Sequence, residues 1–169
     1  MREETRAHYD RLASVYDRNW AYSQDFLEWM SGCILARLRV SHGDRVVDVG
    51  CGTGLYSRRL ADQTGRVVCV DPSVRMLEQI PHDSRLVVVR ASAEDLACGS
   101  VLPPGDQFEA ILVKEAIHHA TNRVAVIEGL GNCWLPVVVF WLSCCRPVSS
   151  IRCPGAIGGC ATRAGRSRA

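Results

Sequence analysis

The sequence contains a single lysine, lacks long apolar runs, and has no acidic residues in its last quarter. Lys114 is the only lysine among 169 residues, and no Asp or Glu follows Glu128. The longest apolar run covers residues 135–142, whereas a membrane-spanning helix needs about 20 such residues. The charged N-terminus also lacks the apolar stretch of a secretory signal. The sequence therefore predicts a cytoplasmic protein with no membrane partner.

Charge is distributed unevenly along the chain. Residues 1–128 hold 15 of the 20 basic residues and all 18 acidic ones, whereas residues 130–169 hold five arginines and no carboxylate. The first region carries no basic stripe, which argues against a nucleic-acid partner. With 47% hydrophobic and 22% charged residues, the composition is that of a globular protein.

The nine cysteines do not form a metal-binding pattern. Cys144, Cys145, Cys153 and Cys160 make no C-x-x-C pair and have no nearby histidine, although zinc sites generally need such clusters. We therefore expect free thiols and no metal.

Strand and helix patterns alternate over the first 130 residues. Short apolar runs predict strands at 45–50, 66–71, 85–90 and 108–113. Apolar residues at helical spacing predict helices at 3–18, 24–39, 56–63, 73–80 and 120–130, with a short turn or helix at 92–98. This alternation predicts an α/β fold with a doubly wound, mostly parallel sheet.

The pattern changes near residue 130. We predict one domain over residues 1–130, an additional strand within 131–145, and an irregular, basic tail over 146–169. The C-terminal strands of the sheet would then be incomplete. Strand four would be left at an exposed edge, which is a site of unwanted pairing.

The segment V-V-D-V-G-C-G-T-G (46–54) joins the first strand to a helix through three glycines. Such a loop lets a ligand lie against the backbone at the carboxyl end of the sheet. The dinucleotide pattern G-x-G-x-x-G is not met, because Leu55 stands where its third glycine belongs. Asp48 also places a carboxylate that suits a cationic ligand better than a pyrophosphate. An NAD(P)-dependent oxidoreductase is therefore disfavoured.

Four motifs in order carry a resemblance to a known family. The segment D-V-G-C-G-T-G (48–54) resembles the first motif of the class I S-adenosylmethionine-dependent methyltransferases. V-D-P-S-x-x-M-L (70–77), A-S-A-E-D-L (91–96) and F-E-A-I-L-V-K-E-A-I-H-H (108–119) resemble its second, third and fourth motifs. With Y-D-x-x-A-x-x-Y-D (9–17) upstream, the chain is most similar to the type-11-like small-molecule group.

This resemblance implies a Rossmann-like methyltransferase fold with S-adenosylmethionine as cofactor. Asp71 would accept both ribose hydroxyls, and Met76 would pack on the adenine or simply belong to the core. Tyr9 and Tyr16 would lie on a helix that covers the cofactor or would serve packing alone, while Lys114 would either line the crevice or be solvated. The implied cofactor-binding residues are Tyr9, Asp48, Gly50, Cys51, Gly52, Asp71, Pro72, Met76, Ala93, Glu94 and Lys114.

The implied reaction is an in-line displacement that moves a methyl group to a small-molecule nucleophile. His118 and His119 follow strand four, and one of them would act as a general base or have a structural role. The alternative is a catalytically impaired, truncated relative that binds cofactor or a protein partner.

Overall fold

The computed structural model describes residues 3–102 and 108–133, together with the backbone of three short strands beyond them. The helices are α1 (Glu3–Leu12), α2 (Tyr16–Trp20), α3 (Gln24–Leu38), α4 (Leu55–Ala61), α5 (Val74–Leu77), α6 (Ala93–Ala97) and α7 (Arg123–Cys133). The strands are β1 (Arg45–Val49), β2 (Arg66–Asp71), β3 (Leu86–Arg90), β4 (Ala110–Lys114), β5 (Val137–Phe140), β6 (Leu142–Ser143) and β7 (Arg146–Pro147). Single 3₁₀ turns lie at Ala13–Val15 and Ile117–His119.

The first five strands form one parallel sheet in the order β3-β2-β1-β4-β5. Nearly every residue of β1, β2 and β4 is buried, as expected of strands covered on both faces. The prediction of a doubly wound, parallel α/β fold is confirmed, and each of the four predicted strands is present within two residues of its expected start.

Alternate residues of β1 supply the two halves of the core. Val47 packs in a cluster with Leu96 of α6 and Leu130 of α7. Its neighbour Val46 faces the other side, in a cluster with Ile34 of α3. Helices therefore cover both faces of the sheet, which explains why the strand sequences are continuously apolar rather than alternating.

The direction of winding reverses beside β1. The chain moves outward from β1 to β2 and β3, then returns to place β4 on the other side of β1. The loops that follow β1 and β4 therefore diverge and leave a crevice at the carboxyl ends of the strands, where ligands bind in open α/β sheets.

The prediction of one continuous helix over residues 3–18 is wrong, because the helix is interrupted. Helix α1 ends at Leu12, and α2 begins only after the 3₁₀ turn at Ala13–Val15. The two pieces are fixed to different parts of the domain, since Asp10 and Asp17 each accept a hydrogen bond from a separate loop. These tertiary contacts override the local preference for one straight helix.

Strand β5, which lies within residues 131–145, pairs in parallel with β4. The expectation of an exposed edge at β4 is therefore wrong. Helix α7 continues to Cys133, past the predicted boundary at residue 130. Within the predicted tail, Arg146–Pro147 forms β7 against β6, and residues 148–169 lie outside the described residues. In the described part of the chain, no helix is long and apolar enough to cross a membrane.

Candidate active site

A cleft lies over the carboxyl ends of β1, β2 and β4. Its empty volume is about 1040 Å³, including the part open to solvent. Every site residue predicted from the sequence lines it except His118, namely Tyr9, Asp48, Gly50, Cys51, Gly52, Asp71, Pro72, Met76, Ala93, Glu94, Lys114 and His119. Met76 is only 1% exposed, so its position agrees with both interpretations offered above, a core residue and a ligand contact.

The loop between β1 and α4 depends on glycine. Gly50, Gly52 and Gly54 have φ angles of 73°, 56° and 74°, in the left-handed region that other residues rarely adopt. A Cβ on Gly50 would stand 2.2 Å from the Cβ of Ala116, so the loop packs too closely there for a side chain. A Cβ on Gly52 would meet no atom within 4 Å. The loop therefore leaves open space beside the backbone of Gly52.

Asp71, the last residue of β2, fastens this loop to the neighbouring strand. Its Oδ2 accepts a hydrogen bond from the Gly52 backbone N–H at 3.0 Å, and its Oδ1 accepts one from the Ser73 N–H at 2.8 Å. Burial raises the pKa of this carboxyl, while these two hydrogen bonds act to lower it. Each carboxylate oxygen can accept a further hydrogen bond, so Asp71 can also bind hydroxyl groups of a ligand in the cleft.

Asp48 supplies a second buried carboxylate one strand away. It is 3% exposed, and the Ser57 hydroxyl donates a hydrogen bond of 2.6 Å to it. Burial raises the pKa of Asp48 to about 6, although the Ser57 hydrogen bond and the positive Lys114 act to lower it. At neutral pH the carboxyl is therefore mostly ionised, and its negative charge favours a cation in the cleft.

Among the described residues, three hydrogen bonds between side chains hold the N-terminal segment, residues 3–20, across the cleft. The Tyr9 hydroxyl lies 2.7 Å from His119 Nε2, the Ser73 hydroxyl donates to Asp10 at 2.5 Å, and the Thr53 hydroxyl donates to Asp17 at 2.6 Å. Tyr9 and Tyr16 were both expected on a covering helix, and both line the cleft. Asp10 and Asp17 were not singled out as site residues, although both lie in the Y-D-x-x-A-x-x-Y-D pattern.

The two adjacent histidines after β4 face different surroundings. His119 is partly buried in the cleft, and this burial, together with nearby His118 and His8, lowers its pKa below the usual value. His118 is exposed and lines a separate depression beside α7, with its ring centroid 3.8 Å from that of His119. Of the two predicted bases, only His119 faces the cleft.

Lys114 closes β4 and is paired rather than solvated. Its side chain is 9% exposed, its Nζ lies 2.9 Å from the Glu115 carboxylate, and the same Nζ lies 4.6 Å from the centre of the Tyr56 ring. Glu115 has a φ of 54°, a conformation that is uncommon for a residue other than glycine and is often found at functional sites. The turn after β4 thus directs the Glu115 carboxylate to the cleft wall.

Sequence reasoning missed part of the cleft wall. The missed polar and aromatic residues are Trp20, Tyr22, Thr53, Tyr56 and Glu115. Thr53 and Glu115 lie inside the quoted motifs, so the motifs themselves offered a signal. Trp20 and Tyr22 offered none, because their position depends on where α2 ends. Among the described residues, no group of three or more His, Cys, Asp or Glu side chains could hold a metal ion.

Comparison with known proteins points to one family. The model of the family described as "Methyltransferase domain" matches residues 46–134. Cypemycin N-terminal methyltransferase of Streptomyces is 29% identical over 155 residues, covering 84% of this chain and 61% of the relative. Demethylmenaquinone methyltransferase of Tropheryma whipplei is 32% identical over 122 residues, covering 70% and 49% respectively. The chain thus spans less than two thirds of the length of these relatives.

The fold is also found in solved structures. A DhpI structure in complex with SAM and HEP superposes with a TM-score of 0.59 at 22% identity, covering 82% of this chain and 64% of that chain. The family model matches more than half of the chain and includes the glycine loop, Asp71 and β4. The chain therefore belongs to the methyltransferase domain family, among the class I S-adenosylmethionine-dependent methyltransferases.

Proposed function

We propose that this chain binds S-adenosylmethionine in the cleft and transfers its methyl group to a small-molecule nucleophile. The observation that carries the proposal is the pairing of an open glycine loop with the buried carboxylates Asp48 and Asp71 on adjacent strands. These groups offer backbone contact, acceptors for a ribose diol, and negative charge for a sulfonium and an ammonium. The DhpI complex with SAM and the names of the methyltransferase relatives support the same proposal.

The cleft residues fit the cofactor chemically. Both carboxylate oxygens of Asp71 accept backbone hydrogen bonds, one from Gly52 in the loop after β1 and one from Ser73 after β2. A side chain at position 52 would fill the open space beside that loop. Met76, Ala93 and Pro72 supply apolar surface next to Asp71 for the adenine. When bound, the cofactor would supply a methyl carbon on a positively charged sulfur. The C–S bond would break as the acceptor's lone pair bonds to that carbon, with S-adenosylhomocysteine as the leaving group.

The acceptor must lose a proton in the course of this reaction, and Tyr9 with His119 can take it. The lowered pKa of His119 keeps its ring neutral at pH 7, and Nε2 lies within hydrogen-bonding distance of the Tyr9 hydroxyl. The Tyr9 oxygen can accept a proton from the acceptor while its own proton moves to Nε2. His119 is thus the proposed general base, with Tyr9 as the connecting group. The prediction for His118 is not carried forward, because its exposed ring lies outside the cleft.

Calorimetric titration with S-adenosylmethionine and S-adenosylhomocysteine tests the binding step. We expect saturable binding to the native chain and at least about tenfold weaker binding to Asp71→Asn, because hydrogen bonds to a charged group contribute about 1.5–3 kcal/mol each. Asp25→Asn, an exposed position on α3 outside the cleft, is the matched control and should bind like the native chain. A folded chain that binds neither compound would overturn the proposal.

Turnover separates the proposal from the impaired-relative alternative. Formation of S-adenosylhomocysteine is measured with a pool of small-molecule acceptors, followed by mass detection of the methylated product. Methyl transfer that is lost in Asp71→Asn supports an active enzyme. Tight cofactor binding with no turnover across chemically diverse acceptors would favour the alternative.

A further inference from the structure

One half of the cleft is walled by aromatic rings. We call the set Tyr16, Trp20, Tyr22 and Tyr56 the aromatic wall. The Tyr16 and Trp20 ring centres are 6.2 Å apart, and those of Trp20 and Tyr22 are 5.7 Å apart in a stacked arrangement. Tyr56 lies on the first turn of α4 and contributes to the same cleft. The aromatic wall and the proposed cofactor groups on β1 and β2 line the same cleft.

A carboxylate faces this wall. Glu115, at the end of β4, is close enough to Tyr16 and Tyr56 that its negative charge contributes to raising the pKa of both phenols, after the larger effect of burial. The Tyr56 hydroxyl is buried without a hydrogen-bond partner among the described residues. Glu115 has a backbone φ of 54°, which is uncommon for a residue other than glycine. Aromatic faces beside a carboxylate form a setting that suits an ammonium group.

The chain itself already places one ammonium in this setting. Lys114 Nζ lies over the Tyr56 ring at 4.6 Å and contacts the Glu115 carboxylate at 2.9 Å. This contact uses one oxygen of Glu115 and one ring of the wall. It leaves ring surface of Tyr16 and of Trp20, which is 48% exposed, for a second cation. Tyr22 supports Trp20, since its ring is stacked on Trp20 and on Phe26.

The charge of the whole cleft favours the same class of ligand. Glu94 accepts a hydrogen bond from the Thr121 N–H and is held by other contacts. Apart from it, three carboxylates line the cleft, from Asp48, Asp71 and Glu115, and among the described lining residues the only lysine is Lys114. Among the described lining residues there is no arginine. A cofactor with one net positive charge does not balance this excess, so an anionic acceptor would be repelled and a cationic one attracted.

We propose that the aromatic wall and Glu115 select an acceptor whose methylated atom is an amine nitrogen, bound as its ammonium form. This inference rests on the proposed function and names the acceptor class for the same site. The bound ammonium gives up one proton, through Tyr9 to His119, and its nitrogen lone pair becomes free. The new N–CH₃ bond forms as the C–S bond breaks, sulfur keeps that electron pair, and the nitrogen regains one positive charge.

Three soluble compounds of nearly the same shape test this selection by charge alone. Choline is a cation, 3,3-dimethyl-1-butanol is its neutral counterpart, and 3,3-dimethylbutyrate is the anion. Binding of each is measured by saturation-transfer NMR titration, with and without S-adenosylhomocysteine. We expect choline to bind at least tenfold more tightly than the alcohol, and the carboxylate to bind weakest.

Variants then assign the preference to named residues. Glu115→Gln and Trp20→Leu should each weaken the binding of choline at least fivefold and leave the binding of the alcohol unchanged. Trp29→Leu is the matched control, since Trp29 is 60% exposed in the same aromatic row but does not line the cleft. The melting temperature of each variant is recorded, so that loss of folding is not read as loss of binding.

The outcomes for the two proposals are distinguishable. A chain that binds S-adenosylhomocysteine but binds the alcohol or the carboxylate as tightly as choline would overturn the amine acceptor and leave the proposed function standing. The same holds if none of the three compounds binds. A chain that prefers choline yet fails to bind S-adenosylhomocysteine would overturn the proposed function instead.

Discussion

Tyr9 and His119 are 110 positions apart in the chain, and their side chains meet across the cleft with 2.7 Å between Oη and Nε2. Their rings pack edge to face at a centroid distance of 5.2 Å. This contact joins the N-terminal segment to the turn after β4. The N-terminal segment therefore covers the cleft, and the turn after β4 helps to hold this segment in place.

The Tyr9–His119 pair should be visible in the titration of His119. Burial lowers the pKa of His119, so its ring should titrate below pH 6.5, as followed by NMR of the ring protons and assigned with His119→Gln. In Tyr9→Phe the neutral ring loses a donor, and the midpoint should rise. Turnover should fall as the pH is lowered through the same midpoint, because the protonated ring cannot accept a proton. Trp29→Leu serves as the control, and a native midpoint above 6.5 would contradict the assignment.

The hydrogen bonds of Asp10 and Asp17 should govern how firmly the N-terminal segment covers the cleft. Thr53→Val keeps the side-chain shape but removes the hydroxyl that donates to Asp17 at 2.6 Å. We expect roughly fivefold to tenfold weaker binding of S-adenosylhomocysteine and faster amide exchange in residues 3–20, since such a bond contributes about 1–2 kcal/mol. Asp25→Asn should change neither measurement. Unchanged exchange in Thr53→Val would show that the hydrogen bond between Thr53 and Asp17 does not help to hold the segment.

The glycine at position 50 should be much less replaceable than the helical glycine at position 32. Gly50→Ala forces a Cβ to within 2.2 Å of Ala116 Cβ at a φ of 73°, so we expect a loss of about 2–5 kcal/mol in the free energy of unfolding. Gly32 lies inside α3 with no atom near an added Cβ, and Gly32→Ala should stabilise by about 0.5–1 kcal/mol. Urea unfolding measures both. Partial rescue of Gly50→Ala by Ala116→Gly would identify the contact as the cause.

Asp48 should make the protein less stable as the pH rises through the weakly acidic range. Burial raises its pKa from 3.8 to about 6, so between these values the folded state holds a proton that the unfolded state has released. The contribution of Asp48 to the free energy of unfolding is therefore complete below about pH 4, and it is lost as the pH rises to about 6. The total is about 3 kcal/mol for a shift of about two pKa units.

The effect of Asp48 is measured as the difference between the free energies of unfolding of two proteins at each pH. Urea unfolding of the native chain and of Asp48→Asn is compared from pH 4 to pH 7. The variant should gain stability relative to the native chain as the pH rises, and it should bind S-adenosylmethionine more weakly because it lacks the negative charge. A constant difference across this range would show that Asp48 does not titrate as its burial requires.

Local sequence patterns were sufficient to predict the sheet and the part of the cleft that the glycine loop and Asp71 form. Strands β1, β2 and β4 were predicted from short apolar runs, because nearly every residue there is buried between the two helix layers. The glycine loop and Asp71 were found because their chemistry acts over a few adjacent residues. Asp10 and Asp17 were present in a quoted pattern, but nothing local says that their partners are Ser73 and Thr53.

The other half of the cleft depended on long-range packing. Trp20 and Tyr22 reach it only because the N-terminal helix breaks at residues 13–15 and ends at a left-handed Ala21. The edge of the sheet was misjudged for the same reason, since the pairing of β5 with β4 joins segments from opposite ends of α7.

The sequence by itself determined the strand and helix alternation, the glycine loop and the carboxylates on β1 and β2. These features follow from side-chain periodicity and from backbone angles that only glycine adopts readily. The tertiary structure alone decided that Tyr9 contacts His119, that Glu115 faces an aromatic wall, and that His119 rather than His118 enters the cleft. Those relationships depend on how distant elements pack, and the spacing of residues along a chain does not encode them locally.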